Sequence, residues 1–216
     1  MLQIHLTRQG RKGCKIARMK AQPIADLYAD YLLASFGATT ATGLSQLLEG
    51  EVSHDQVTRY LASTKKTAAD LWRTVKPFVR QVQSAGGVLI IDDSIEEKPY
   101  TDENDIVGWH YDPSKARLLK GSNFLTAWYG SQGVSLPVGV HWVAKTEKSV
   151  DPKTQKEKRR SPVSKNEVCQ ELSKQAVTNL LPFRFVVFDV WFASAETLVF
   201  IKQQQKRDCS SNAEFF

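Results

Sequence analysis

The chain has 216 residues, 42% apolar and 24% charged, a balance that fits a folded globular protein with a sizeable core. Its longest apolar runs, such as 87–91 and 183–188, are far too short to span a bilayer, and the basic stretch 1–11 lacks the apolar centre of a signal peptide, so a cytoplasmic protein is expected. The net charge of +6 is uneven: residues 1–86 hold 12 Lys+Arg against 6 Asp+Glu, and residues 87–216 hold 17 against 17. A basic segment of this kind gains affinity for nucleic acid by displacing counterions from phosphates, although charge alone does not establish the partner.

Residues 1–20 read as loosely ordered and basic. From Pro23 the pattern is helical, with Ile24, Leu27, Tyr28, Tyr31, Leu32 and Phe36 on one stripe. A second helix is expected over 40–48, punctuated by Gly50. Ser53 and Gln56 have capping-box spacing and open a third helix with Val57, Tyr60 and Leu61 inward. The pair resembles a helix-turn-helix, which would place the 53–61 helix in a major groove with His54, Gln56, Thr58 and Arg59 outward; a plain helical cap with solvated polar residues explains the same pattern. A fourth helix over 68–83 turns Leu71, Val75, Phe78, Val79 and Val82 inward.

At Gly86–Gly87 the character changes. GGVLIIDDSI reads as a buried strand, and further strands are expected over 123–129 and 134–143, joined by a hairpin. Residues 145–162 read as a solvated basic loop. Ser164 and Glu167 form a second capping box, opening a helix with Val168, Leu172, Ala176 and Leu180 inward, stopped before Pro182. Residues 183–192, FRFVVFDVWF, read as another buried strand, and Ser194 caps a last helix through Lys202. The order strand, strand, strand, helix, strand, helix matches an RNase H-like core up to its fourth strand. The fold class is therefore α/β (α+β): an N-terminal helical, basic domain over 1–86 and an incomplete RNase H-like mixed-sheet core over 87–216.

Asp93, with Asp92 beside it, closes the first buried strand, and Asp189 sits inside the second. A carboxylate is costly to bury unless it is paired or bound to metal. Carboxylates at neighbouring strand ends suit Mg²⁺, which prefers oxygen ligands, and two such ions promote in-line attack on a phosphodiester. Turn formation by Asp92 and Asp93, with Asp189 paired to a buried cation, explains the same residues without metal. Cys14, Cys169 and Cys209 form no C-x-x-C pair and read as plain thiols.

Three segments carry a resemblance: IIDDSIEEKPYTDENDIVGWHYDPSKARLLKG, DPKTQKEKRRSPVSKNE and FVVFDVWFAS. Together they resemble insertion-sequence transposases of the DDE superfamily, in the IS-four-like group, over about residues 24–205. The resemblance implies Mg²⁺, with Mn²⁺ as substitute, and cleavage and strand transfer at the ends of a mobile element. It implies double-stranded DNA bearing terminal inverted repeats as partner, and it allows a homodimer. The family's first Asp falls on Asp93, with Asp92 the second choice, and its second on Asp189. Its third acid is a Glu that follows a Tyr and an Arg and precedes a Lys. No Tyr follows Tyr129, and only Glu196 and Glu214 follow Asp189. Glu196 reads as a helix-start residue and Glu214 as part of a polar tail unlike a strand. The chain is therefore expected to stop before the third acid, with transposition impaired, leaving an inactive DNA-binding fragment or relic as the alternative.

Basic residues near these motifs are candidate phosphate contacts. Lys115, Arg117 and Lys120 are expected in a polar connection, and Lys153, Lys156, Lys158, Arg159 and Arg160 form a run that a solvated loop explains equally. Trp109 and His110 read as core or turn residues, His141 as a sheet-face residue, and Trp191 and Phe192 as packing beneath the site.

Overall fold

The computed structural model describes residues 23–37, 39–63, 66–150, 152, 155, 157–207 and 214–215, with side chains up to 203 in the last helix. Cys14, Cys209, Lys153, Lys156 and the basic stretch 1–20 lie outside the described residues. The chain divides into two compact units, Met1–Lys65 and Lys66–Phe216.

The first unit holds α1 (Ile24–Ala34), α2 (Ala41–Leu47) and α3 (His54–Ser63). Thr40 caps α2 by accepting from the Gly43 N–H at 3.0 Å. The expected Ser53 and Gln56 box forms: the Gln56 N–H donates to Ser53 Oγ at 3.3 Å and the Ser53 N–H to Gln56 Oε1 at 2.8 Å. Between the two helices Glu49 and Gly50 take φ of 51° and 83°, which turns the chain sharply. Leu44 and Val57 are the buried anchors. The apolar stripe of α1 is only partly realised. Ile24, Leu27, Tyr28 and Tyr31 are half-buried, but Leu32 and Phe36 are exposed. The helix stops at Ala34 and Ser35 is already extended, so Phe36 has left the helical stripe.

The second unit opens with α4 (Ala68–Val82), capped by reciprocal bonds between Thr67 and Asp70. Composition alone divides the chain after residue 86, but α4 packs on strand β4 (Val134–Trp142), and its fully buried Val79 joins the sheet's core. Phe78, expected inward, is exposed: it sits about 100° round that helix from the fully buried Val79. The other strands are β1 (Val88–Glu97), β2 (Val107–Asp112), β3 (Arg117–Ser131), β5 (Glu147–Val150), β6 (Glu157–Arg160), β7 (Phe185–Phe188) and β8 (Glu214–Phe215). The main sheet runs β2-β3-β1-β7-β8, with β4 also paired to β3. β3 is long enough to take two partners: its first half pairs with β2 and its second with β4, both antiparallel. β1 is antiparallel to β3 and parallel to β7, from Val88↔Phe185 to Ile91↔Phe188. This is the mixed α/β sheet expected for the core.

α5 (Lys165–Thr178) lies over β4, β3 and β1, and α6 (Ala195–Arg207) packs on α5. One core unites Val79, Leu89, Ile91, Leu125, Tyr129, Val168, Leu172, Phe192 and Ile201. Tyr129 Oη donates toward the Pro182 carbonyl at 2.7 Å and accepts from the Ser84 N–H at 3.1 Å, so its buried hydroxyl is satisfied. Cys169 is fully buried and burial pushes its thiol up to about 12, as a plain core thiol requires.

Several sequence readings change. Residues 107–112 are a strand, and Arg117 and Lys120 lie within β3; only Lys115 stays in the connecting turn. Residues 147–150 and 157–160 form a two-stranded hairpin inside the expected loop. Leu180 is exposed, because α5 ends at Thr178 and Leu180 takes a φ of 54° in the turn that follows. The strand expected over 183–192 spans only Phe185–Phe188, followed by a 3₁₀ turn at Val190–Phe192. The tail read as unlike a strand supplies β8, parallel to β7 with Phe185↔Glu214.

Candidate active site

β1 begins apolar and ends acidic, and its alternation sorts its side chains. Leu89 and Ile91 face the α5 side of the sheet, and Asp93 continues that row, while Asp92 lies on the opposite face and is exposed. Parallel pairing with β7 stops at Ile91↔Phe188, one residue short of both Asp92 and Asp189. Asp189 is thus just past the strand end, extended at φ −66° and ψ 152°, and not inside a strand as the apolar run suggested. The chain leaves β1 toward β3 on one side and returns through β7 on the other. The strand ends at such a switch point open a crevice where ligands bind in α/β sheets.

An open cleft of about 440 Å³ lies there, lined by Asp92, Asp93, Asp112, Asp189, Lys165 and Tyr111 among others. The three aspartates singled out from sequence therefore share one cleft. Asp93 is the most enclosed, its side chain 21% exposed. Its Oδ2 accepts from Asn123 Nδ2 at 3.2 Å and from the ammonium of Lys165, the first residue of α5. Lys165 is held at that point because the Ser164 and Glu167 box starts the helix there; the Ser164 N–H donates to Glu167 Oε2 at 2.7 Å and the Glu167 N–H to Ser164 Oγ at 3.2 Å. Asn123 is fully buried, with its Oδ1 lacking a hydrogen-bond partner. Asp92 accepts the Asp93 N–H at 2.9 Å. Asp112 caps the β2–β3 turn by accepting from the Ser114 N–H at 2.9 Å and the Ser114 hydroxyl at 2.6 Å, and those bonds hold its carboxyl below the usual range.

Carboxylate oxygens are the donor chemistry Mg²⁺ selects, and that ion commonly takes one or two protein carboxylates with waters and substrate phosphate. The donor set fits in kind. In spacing, no three His, Cys, Asp or Glu side chains among the described residues converge closely enough to hold an ion. Glu196, in the first turn of α6, is exposed and does not line the cleft. Of the pair expected beneath the site, Phe192 is buried, but Trp191 is 65% exposed and forms part of the cleft wall.

The basic residues fall into two groups away from the aspartates. Lys115 and Arg117 pair with Glu97 at 2.6 Å and 3.4 Å, and Lys120 is half-buried on β3. Lys158, Arg159 and Arg160 lie on β6 and line a second cleft, of about 490 Å³, with Trp109, Leu118 and Lys145. Arg159 pairs there with Asp105 at 2.8 Å. In the first unit, His54 pairs with Asp55 at 3.2 Å, Arg59 Nε donates to the Asp55 carbonyl at 3.3 Å, and the Gln56 side chain is engaged in the helix cap. Sequence reasoning missed Lys165, Asn123 and Asp112. The Asp-Pro-Ser turn signature was a usable signal for Asp112; the other two meet Asp93 only through the fold.

No helix among the described residues is long and apolar enough to cross a membrane. No curated protein matches the chain in sequence. Among solved structures, it is similar to a pre-cleavage Mos1 transpososome at 13% identity and a TM-score of 0.25, covering 96% of this chain and 61% of that one. It is also similar to the mariner Mos1 paired end complex with Mg, at 12% identity and a TM-score of 0.21, covering 90% and 60%. The chain thus spans about three fifths of the length of those structures. The family of DDE superfamily endonucleases matches residues 13–208, nearly the whole chain, and this protein belongs to it.

Proposed function

We propose that this protein is a transposase of an insertion sequence, of the IS-four-like group, that cleaves DNA at the element's ends and joins the freed strand to a target. The observation that carries the reading is that Asp92, Asp93 and Asp189 line one open cleft where the pairing of β1 with β7 ends. Asp93 and Asp189 would hold Mg²⁺ or Mn²⁺, with Asp92 beside them. An ion held there supplies Lewis-acid stabilisation of the phosphate and a water or 3′-hydroxyl activated for in-line attack. The residues' own part is to position the cation and to keep the cleft open to a duplex. Lys158, Arg159 and Arg160 on β6, with Lys115, Arg117 and Lys120, are proposed to hold phosphates; His54, Gln56 and Arg59 are the proposed readers of the element's terminal repeats. Exposed ion pairs such as Lys115 with Glu97 are weak enough to exchange for phosphate.

The test is nicking of a labelled terminal-repeat duplex by the purified chain in Mg²⁺ or Mn²⁺. Metal catalysis contributes several kcal/mol, so D93A and D189A are each expected to lower the rate by at least about a hundredfold. Unchanged nicking in D189A would remove Asp189 from the site. A second reading, binding to the same ends without cleavage, is favoured by the absence of three converging acids among the described residues. It predicts salt-sensitive binding of the duplex with no metal-dependent nicking.

A further inference from the structure

Lys165 is the one basic side chain among the described residues lining a cleft that also holds four aspartates, and it stands directly on Asp93. The backbone at Lys165 is fixed from both sides. The capping box sets where α5 begins, and Val168, Cys169 and Leu172 in the next two turns are buried against the sheet. The side chain remains 40% exposed, so its ammonium can leave Asp93 into the cleft on its flexible stem without unfolding anything.

We propose that Lys165 is a tethered counter-cation that occupies Asp93 when no metal is bound and that a divalent ion must displace to load the site. This rests on the reading of Asp93 as a metal ligand. Two observations beyond the ion pair support it. First, the pair occupies one carboxylate oxygen of Asp93 fully, since the same Oδ2 takes both Lys165 and Asn123. Second, two further basic groups, Lys145 and His110, lie within electrostatic reach of Lys165. Lys145, close enough to Lys165 to feel its charge, is pulled below its usual range mainly by burial, and His110 stays neutral for the same reasons. A divalent ion entering beside a retained Lys165 would meet that repulsion; an ion replacing it would not. Lys165 is on this account a positioning residue: it keeps the carboxylate aimed while lowering the site's affinity for free metal. Loading is then favoured when DNA phosphates in the cleft offer the released ammonium another partner.

The experiment is Mn²⁺ binding to the full chain without DNA, followed by the electron paramagnetic resonance signal of free Mn²⁺. K165M keeps the stem and removes the charge, and is expected to bind Mn²⁺ about tenfold tighter than the native chain. K165R, which keeps the charge, is expected to stay near the native affinity. D93N is expected to abolish binding in either background. A plain structural salt bridge predicts the reverse for K165M, because loosening Asp93 weakens the site. Affinity equal to or below native in K165M, with D93N still abolishing binding, overturns the role of Lys165 and leaves the metal site standing. Absence of binding in the native chain and in K165M overturns both. If K165M does not fold, as judged by its thermal transition, K165Q carries the same comparison.

Discussion

His110 sits on β2 with its Nε2 lacking a hydrogen-bond partner, and burial, with the Lys145 and Lys165 ammonium groups nearby, lowers it to about 4 against the weaker pull of Asp93. The physical consequence is a stability that depends on pH. Above about 6.5 the ring is neutral in both the folded and unfolded chain. As pH falls below that, the unfolded chain takes up a proton that the folded chain refuses until about 4. Stability is therefore full above the unfolded value and lost as pH falls through this window, by roughly 2 kcal/mol between pH 6.5 and pH 5. Thermal melts at those two pH values should show the loss in the native chain and much less of it in H110Q. Equal slopes in the two proteins would place the pH dependence on other groups. The neutrality of His110 also bears on the site: it leaves Lys165 as the cation paired with Asp93.

At Gly121 strand β3 lies so near β1 that a Cβ would be 2.2 Å from the Glu96 carbonyl oxygen. The clashing atom is backbone and cannot rotate away, so G121A must spread the ladder two residues from Asn123 and its bond to Asp93. Overpacking of this kind costs about 1–3 kcal/mol, and the urea midpoint should fall accordingly. A midpoint unchanged from native would mean that the ladder can open there freely. The same scale explains what could be read in advance. The Ser53 and Ser164 caps were legible because each needs only residues three apart, and both formed as spaced. The apolar first half of β1 was legible because an apolar run breaks into Asp92 and Asp93, but its end was not: the strand continues past both to Glu97 by pairing with β3. β2 was not, because Val107–Asp112 carries a glycine and no clean alternation, and it becomes a strand by pairing with the first half of β3. The end of β7 was not, because Val190–Phe192 is as apolar as the strand before it and only the loss of pairing after Ile91↔Phe188 stops the strand. The contact of Lys165 with Asp93 spans 72 residues, and no local pattern encodes it.

Across the whole molecule the charge is arranged differently from what a helix-turn-helix reader of DNA would need. Residues 23–63, which include α1, α2 and α3, hold a single basic side chain, Arg59, against five Asp or Glu, whereas residues 1–20 hold six Lys or Arg and no acid. The N-terminal excess that suggested a DNA-binding domain therefore resides mainly before α1 and from Lys65 onward, not on the helices offered as readers. Arg59 is moreover tied to its own helix through Asp55. Each phosphate neutralised contributes about 0.9 to the slope of log affinity against log salt. Replacing Arg8, Arg11, Lys12, Lys15, Arg18 and Lys20 by Gln should therefore flatten that slope by as much as about 5 for an element-end duplex, with non-specific DNA affected equally. Arg59→Gln should change it by no more than about 1. The comparison is a filter-binding titration of the three proteins from low to moderate salt. A loss of discrimination between the element end and random duplex in Arg59→Gln, with its slope nearly intact, would show that α3 reads bases despite its acidic surroundings. An unchanged slope in the six-fold variant would move the electrostatic footprint to the second unit, where Lys158 and Arg160 on β6 are the next residues to neutralise.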